Sequence, residues 1–341
     1  MRITQLELKN IGVFDHQIID FKKPANDGNA DIHILTGING SGKSTILYAL
    51  AGIFNIEPVK KRYRFPDERS CVSIRSDGCK EPCMIRSRSL PEDYKSIADY
   101  KKYLIADYNE IKNTEFQFAV FAYSGFRSLF SADVHAIREI QNNPLENSLD
   151  FENPVNSHSL LQWIANTKAK IAFALQDGNS SIAEKYRKSL ARIENAIQEI
   201  AGCDVRFTFH YEPMKVGIKV SNEELEFDVL SDGLKSVISW IADLLMRLER
   251  MKWKNDCNVL DRNFILFLDE IEIHLHPSWQ RKILPVVQNL FRNGQIFIAT
   301  HSPLVVASVS DAWVYKLSRV NGKMQVSEII QSKAGTSYPF R

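Results

Sequence analysis

Residues 37–44 read Gly-Ile-Asn-Gly-Ser-Gly-Lys-Ser, which fits the spacing G-x-x-x-x-G-K-[ST]. That motif needs a strand before it and a helix after it. The apolar run Ile32–Leu35 and the helix-forming stretch Thr45–Phe54 supply both. The chemistry asked of the loop explains its composition. Glycines let the backbone wrap an anion closely, and the amides of a helix N-terminus then point at phosphates. Lys43 can reach β- and γ-phosphates, and the Ser44 hydroxyl can ligate magnesium. The competing reading is a chance Gly/Ser-rich turn. Lys43 and Ser44 falling in register, and further parts downstream, argue against it.

The first of those parts is Phe264–Leu268, a continuous apolar strand of the kind buried on both faces, followed at once by Asp269 and Glu270. On a strand beside the phosphate loop, Asp269 would hold the magnesium ion and Glu270 could take a proton from an attacking water. The second is His301, in Ala-Thr-His-Ser-Pro after the strand-like Gln295–Ala299. A lone histidine after a strand is usually structural. On a neighbouring strand of the same sheet it could instead hydrogen-bond a transferred phosphate oxygen. The third is Leu230-Ser231-Asp232-Gly233, ahead of a helix expected over Gly233–Lys252. Ser231 reads equally as a plain helix cap or as a second phosphate-binding helix end.

With these motifs in this order, the chain resembles the ABC-class ATPases, in the branch related to SMC and RecF proteins, over nearly its whole length. The run Asp269–Gln280, Asp-Glu-Ile-Glu-Ile-His-Leu-His-Pro-Ser-Trp-Gln, is similar to that of OLD-type and Septu- or retron-associated ATPases. The resemblance implies an α/β P-loop NTPase with an ABC-type head, a mixed sheet flanked by helices, and an inserted small helical subdomain. It implies ATP and Mg2+ as ligands. Gly37, Asn39, Gly40, Ser41, Gly42, Lys43, Ser44 and Thr45 would contact the nucleotide, Ser44 and Asp269 the metal. Glu270, His301 and Lys43 would be catalytic. Ser231 and Gly233 match the signature, which in this class meets the γ-phosphate bound by the opposite subunit. A head-to-tail homodimer sandwiching ATP follows, with two identical composite sites. Stand-alone relatives often work in anti-phage systems beside a separate effector, so a nuclease partner is expected. Two departures stand out. Asp232 and Leu234 replace the usual signature residues, and no glutamine follows the strand Glu115–Tyr123, where Ser124-Gly125-Phe126-Arg127 stand instead. Gln117 and Gln141 are the two glutamines nearby, and Arg127 is a candidate phosphate or partner contact.

Organisation along the chain fits an insert. Residues 1–130 read as the first ATPase lobe, with strands at Ile3–Leu8 and Gln17–Phe21 and a hairpin from Cys71–Ile74 and Pro82–Ser87 around Ser76-Asp77-Gly78. Tyr94–Ile111 reads as a helix. Residues 131–203 carry helical spacing at Leu160, Leu161, Ile164, Ile171 and Ala174, then at Leu190, Ile193, Ile197 and Ile200, broken at Gln176–Ser181. Residues 204–341 form the second lobe. Strands are expected at Asp204–His210, Met214–Val220 and Glu224–Val229, a helix from Pro277 to Arg292, and a hairpin turning at Asn321-Gly322. Two inserted helices of about 20–25 residues would reach only roughly 30–40 Å, unlike the long coiled-coil arms of SMC relatives. Residues 302–341 are too few for the Toprim nuclease of OLD-type proteins, so a separate effector is expected.

Composition excludes little else. Hydrophobic residues are 44% and charged ones 25%, with net charge +2, too balanced to predict a polyanion partner. Basic clusters at Lys60, Lys61, Arg62, Arg64 and at Arg247, Arg250, Lys252, Lys254 are either solvated helix ends or a nucleic-acid contact. The latter would suit a RecF-like DNA-binding ATPase in repair, the main alternative. A transporter nucleotide-binding subunit would need a coupling surface around the missing glutamine. No apolar run reaches bilayer-spanning length and Met1–Lys9 lacks a signal-peptide core, so a cytoplasmic, membrane-free protein is expected. Five cysteines read as free thiols, with a metal at Cys71, Cys79 and Cys83 as the alternative, and His274 with His276 as a second H-x-H possibility.

Overall fold

Among the described residues three strands are buried along their whole length, and the rest of the fold is arranged around them. A computed structural model describes residues 1–23, 28–77, 81–90, 93, 115–255 and 258–335. The helix expected over Tyr94–Ile111, Cys79 and Cys257 lie outside the described residues. In chain order the structure has β1 (Ile3–Ile11), β2 (Phe14–Asp20), β3 (Asp31–Gly37), α1 (Lys43–Gly52), α2 (Glu57–Lys60), β4 (Cys71–Ser76), β5 (Cys83–Arg86) and β6 (Ala119–Tyr123). There follow α3 (Ser157–Gln176), α4 (Ser180–Ala201), β7 (Val205–Tyr211), β8 (Met214–Val220), β9 (Glu223–Leu225) and α5 (Asp232–Arg250). Last come β10 (Phe264–Asp269), α6 (Pro277–Gln280), α7 (Ile283–Leu290), β11 (Gly294–Thr300), α8 (Pro303–Val306), β12 (Trp313–Val320) and β13 (Lys323–Gln331).

The central sheet runs β13-β12-β3-β11-β10-β6, parallel except for the β13 edge. Its strands are apolar because both faces are covered. Successive side chains alternate between two cores. Ile265, Phe267, Phe297 and Ala299 pack with α1 and the antiparallel sheet β2-β1-β4-β5, whereas Leu266, Leu268, Ile296 and Ile298 pack with α3, α4, α5 and α7. The register matters for function: Asp269 pairs with Ala299, and Thr300 pairs with Thr36. The carboxyl ends of β3, β10 and β11 therefore open on one edge, where ligands of open α/β sheets are bound.

Four expectations need correction. The helix expected from Pro277 to Arg292 is interrupted at Arg281–Lys282. Pro285 lacks an N–H for the Arg281 carbonyl, and its ring crowds that group. The third short strand stops at Leu225, and Phe227–Val229 turns as a 3-10 helix. The strand expected from Glu115 begins at Ala119. Residues 131–156 carry no helix; Asn142-Asn143-Pro144 and Pro154 punctuate them. The helical pair α3–α4 packs on α5 and shares its core rather than standing clear of it. Asn321 and Gly322 both adopt positive φ, 51° and 80°, as the tight hairpin between β12 and β13 demands. No helix among the described residues is long and apolar enough to cross a membrane.

Candidate nucleotide site

The loop between β3 and α1 turns through Gly40 (φ 73°) and Gly42 (φ 94°). At Gly42 a Cβ would also lie 2.6 Å from the Phe14 ring, so the position excludes any side chain. Lys43 is 5% exposed and folds back, its Nζ donating to the Gly37 and Ile38 carbonyls at 3.0 Å each. Burial pulls its pKa down, opposed by Asp269, Glu272 and Glu270. Asn39 is exposed on the loop tip, and Thr45 is buried against Gly12 in the β1–β2 turn. The Ser44 hydroxyl donates to Asp269 Oδ1 at 3.1 Å, joining two segments 225 residues apart.

Asp269 ends β10 and is 6% exposed. Burial pushes its pKa up to about 6; the Ser44 bond opposes this, and the Glu270 carboxylate adds to it. Glu270 stands in the left-handed region with φ 49°, a conformation that costs a non-glycine residue and clusters at active sites. Its N–H is tied to the Ala299 carbonyl at 2.9 Å. His301 follows β11, and burial and the nearby Lys43 charge lower its pKa, while a bond to the Gly37 backbone opposes them. The structure thus brings Gly37, Lys43, Ser44, Asp269, Glu270 and His301 to one edge.

It does not bring Ser231 and Gly233 into hydrogen-bond contact with that loop among the described residues. Ser231, exposed, caps α5 by accepting from Leu234 N at 3.4 Å. Gly233 is buried, and a Cβ there would sit 2.7 Å from the His274 carbonyl. Gln117 lies before β6, at the opposite end of the sheet from Asp269, and Gln141 is exposed in the 131–156 segment. Arg127 is not a free phosphate contact: it is 5% exposed and donates to the Asp269 carbonyl at 2.6 Å. His276 caps α6 through Nδ1, which accepts from Ser278 N at 3.3 Å. Among the described residues no group of three or more His, Cys, Asp or Glu is arranged to hold a metal.

Sequence reasoning missed Glu272. Its carboxylate accepts from Thr300 Oγ1 at 2.8 Å and from the His301 N–H at 2.5 Å, fixing the end of β11 to the turn after β10. The repeated acid in Asp-Glu-Ile-Glu was the available signal.

Do these residues suit a magnesium nucleotide? No side chain caps α1, so its first-turn amides remain available to an anion. The buried Ser41 hydroxyl has no hydrogen-bond partner among the described residues. Ser44 and Asp269 present adjacent oxygens, the hard donor set magnesium takes. The residues fit.

A largely parallel sheet with a phosphate loop and two carboxylates at its carboxyl edge defines a P-loop ATPase. Over residues 32–307 the chain matches the family described as "AAA domain, putative AbiEii toxin, Type IV TA system", and it belongs to that family. It is 24% identical to Septu protein PtuA of Bacillus thuringiensis over 90% of this chain and 74% of that one. It is 23% identical to the retron Vc95 probable ATPase of Vibrio cholerae serotype O1 biovar El Tor over 99% of this chain and 77% of that one. The retron Ec83 probable ATPase of Escherichia coli is 29% identical over 54% of this chain, which spans only 34% of that relative. Among solved structures, an SMC head bound to the C-winged helix domain of ScpA aligns with a TM-score of 0.54 at 12% identity, covering 98% of both chains. The likeness extends to the fold.

Proposed function

We propose that this chain binds and hydrolyses ATP with magnesium, closes on a second copy of itself around the nucleotide, and so switches a separate effector, of the nuclease class, in prokaryotic anti-phage defence. The observation that carries the reading is the Ser44–Asp269–Glu270 constellation, with the strained Glu270 beside a buried carboxylate. The Septu and retron names of the relatives support the defence setting. Residues 1–130 and 204–341 would be the two lobes of the head, and 131–203 an insert.

In this reading Lys43 exchanges the Gly37 and Ile38 carbonyls for phosphate oxygens. Ser44 and Asp269 hold magnesium, which when bound neutralises charge on the β- and γ-phosphates. Glu270 accepts a proton from the water that attacks the γ-phosphorus, as the bond to the β-phosphate oxygen breaks and ADP leaves. His301, whose pKa is lowered by burial, donates to a γ-phosphate oxygen and helps orient the attacking water. Ser231 and Gly233 of the second copy would close the site.

Of the basic residues that suggested nucleic acid, Arg247 and Arg250 are held in part-buried contacts, while Lys61 and Arg64 sit in exposed or half-exposed ion pairs. Lys61 pairs with Glu152, Arg64 with Asp15, and Arg247 with Asp243, while Arg250 donates to the Ile140 and Asn142 carbonyls. No second reading gains an observation. The test is magnesium-dependent ATP hydrolysis and solution mass for the wild type and Glu270→Gln. We expect turnover in the wild type and a stable ATP-bound dimer in the variant. An inactive wild type whose mass ignores ATP would end the proposal.

A further inference from the structure

We propose that Arg127 is a positioning residue for Glu270, and that Ser124-Gly125-Phe126-Arg127 does in this chain the work of setting the attacking end of the site. The inference rests on the hydrolytic reading above. Arg127 leaves β6, which pairs in parallel with β10, so its side chain meets the turn carrying the two acids. Its Nη2 donates to the Asp269 carbonyl at 2.6 Å and its Nη1 approaches the Ile271 carbonyl at 3.5 Å. Those two carbonyls bracket Glu270 along the chain. The turn they define holds Glu270 at φ 49°, a strained conformation for a non-glycine residue that persists only where neighbours over-determine it.

Retaining a cation here is expensive. Arg127 is almost fully buried, and its Nε finds no acceptor among the described residues, so the guanidinium is anchored by the turn's carbonyls and by nearby acid charge. A methionine or leucine would pack at less cost. The same segment also touches the Glu270 side chain. A Cβ at Gly125 would lie 2.9 Å from Glu270 Oε2, 3.3 Å from its Cβ and 2.8 Å from Ile273 Cδ1. Glycine at 125 thus leaves room for the carboxylate, and Arg127 holds its backbone. A residue that merely packed would do neither.

The test compares wild type, Arg127→Lys and Gly125→Ala for kcat, KM, equilibrium binding of a non-hydrolysable ATP analogue, and thermal unfolding. Lysine keeps the charge but cannot fork between two carbonyls. Alanine at 125 crowds the carboxylate without touching the phosphate loop. Misplacement of a catalytic group by a fraction of an ångström to 1 Å lowers turnover by about 10- to 100-fold. We expect that loss in kcat in both variants, with analogue affinity within about twofold, the unfolding midpoint serving to show that each variant is folded at the assay temperature. Turnover within about twofold of wild type in either folded variant would overturn the positioning role, as would parallel losses of binding and turnover. Should Arg127→Lys fail to fold, Gly125→Ala decides. Absence of hydrolysis by the wild type itself would refute the hydrolytic reading, and is seen before any variant is compared.

Discussion

A carboxylate buried at the end of a parallel strand weakens the fold unless a cation meets it. Asp269 has a folded-state pKa of about 6 against 3.8 for an ordinary aspartate. Between those values the folded protein binds the proton more tightly than the unfolded chain, so stability rises as pH falls through that window and is lowest above it. The cost of the ionised form is on the order of 1–3 kcal/mol. Asp269→Asn keeps an acceptor for Ser44 and removes that cost. We therefore expect it to abolish magnesium-dependent hydrolysis yet to melt no lower than wild type at pH 7.5. A clearly lower melting point would contradict the assigned burial penalty. Metal binding needs the ionised carboxylate. Hydrolysis at limiting magnesium should therefore fall as pH drops below about 6, by up to about tenfold per unit, and excess magnesium should restore it. Lys43, Ser44 and Asp269 were legible in the sequence because a phosphate loop and an apolar strand ending in acids allow few other uses. Arg127 was visible as a residue but not as a clamp. Its role depends on burial and on two carbonyls 142 and 144 positions away, which no local pattern encodes.

Where the ladder between β10 and β11 ends, a side chain carries the link onward. Glu272 receives both Thr300 Oγ1 and the His301 N–H, so the turn that carries Glu270 and the segment that carries His301 move as one. Glutamine at 272 offers one carbonyl oxygen to two donors. Glu272→Gln should cut kcat by about tenfold with KM little changed, and Thr300→Val, which removes one donor, by less. Steady-state kinetics on the two variants and their double mutant would check this; wild-type turnover in Glu272→Gln would show the link to be dispensable. The strands of the central sheet were legible because burial on both faces leaves a continuous apolar run, as in Phe264–Leu268. The helices α3 and α4 were legible from their spacing. The break before α7 was not, because Pro285 acts on a carbonyl four residues upstream within an otherwise helical pattern. The irregular course of 131–156 was hidden by its position beside two clear helices. Glu272 is one of 41 acidic residues; the repeated acid in Asp-Glu-Ile-Glu marks its position, but its two donors come into view only when β11 is laid beside β10.

Taken together, the two groups of residues proposed to complete the ATP site stand apart in one chain. The phosphate loop, both acids and His301 share an edge of the sheet, while Ser231 caps α5 at an exposed position and Gly233 packs against the His274 carbonyl. Helix α5 is not free to bring them over. Asp243 accepts from Tyr123 at 2.7 Å and from Arg247 at 2.6 Å, and Arg247 also holds the Pro144 and Glu146 carbonyls, pinning the helix to β6 and to the 131–156 segment. If Ser231 contributes to hydrolysis, it must do so toward a second copy. Ser231→Arg would cost about 1 kcal/mol as a lost cap but should block closure, and Lys43→Ala should empty the other half. Each variant alone is expected to be inactive. In a two-fold dimer of the mixed variants, one composite site pairs both lesions and the other has neither. An equimolar mixture should therefore recover about a quarter of wild-type sites, if subunits exchange freely and the two sites act independently. Mass measurement with ATP would verify the mixed dimers. Mixed dimers without recovered hydrolysis would mean that both sites must fire together, and wild-type turnover by Ser231→Arg alone would place Ser231 outside the shared interface.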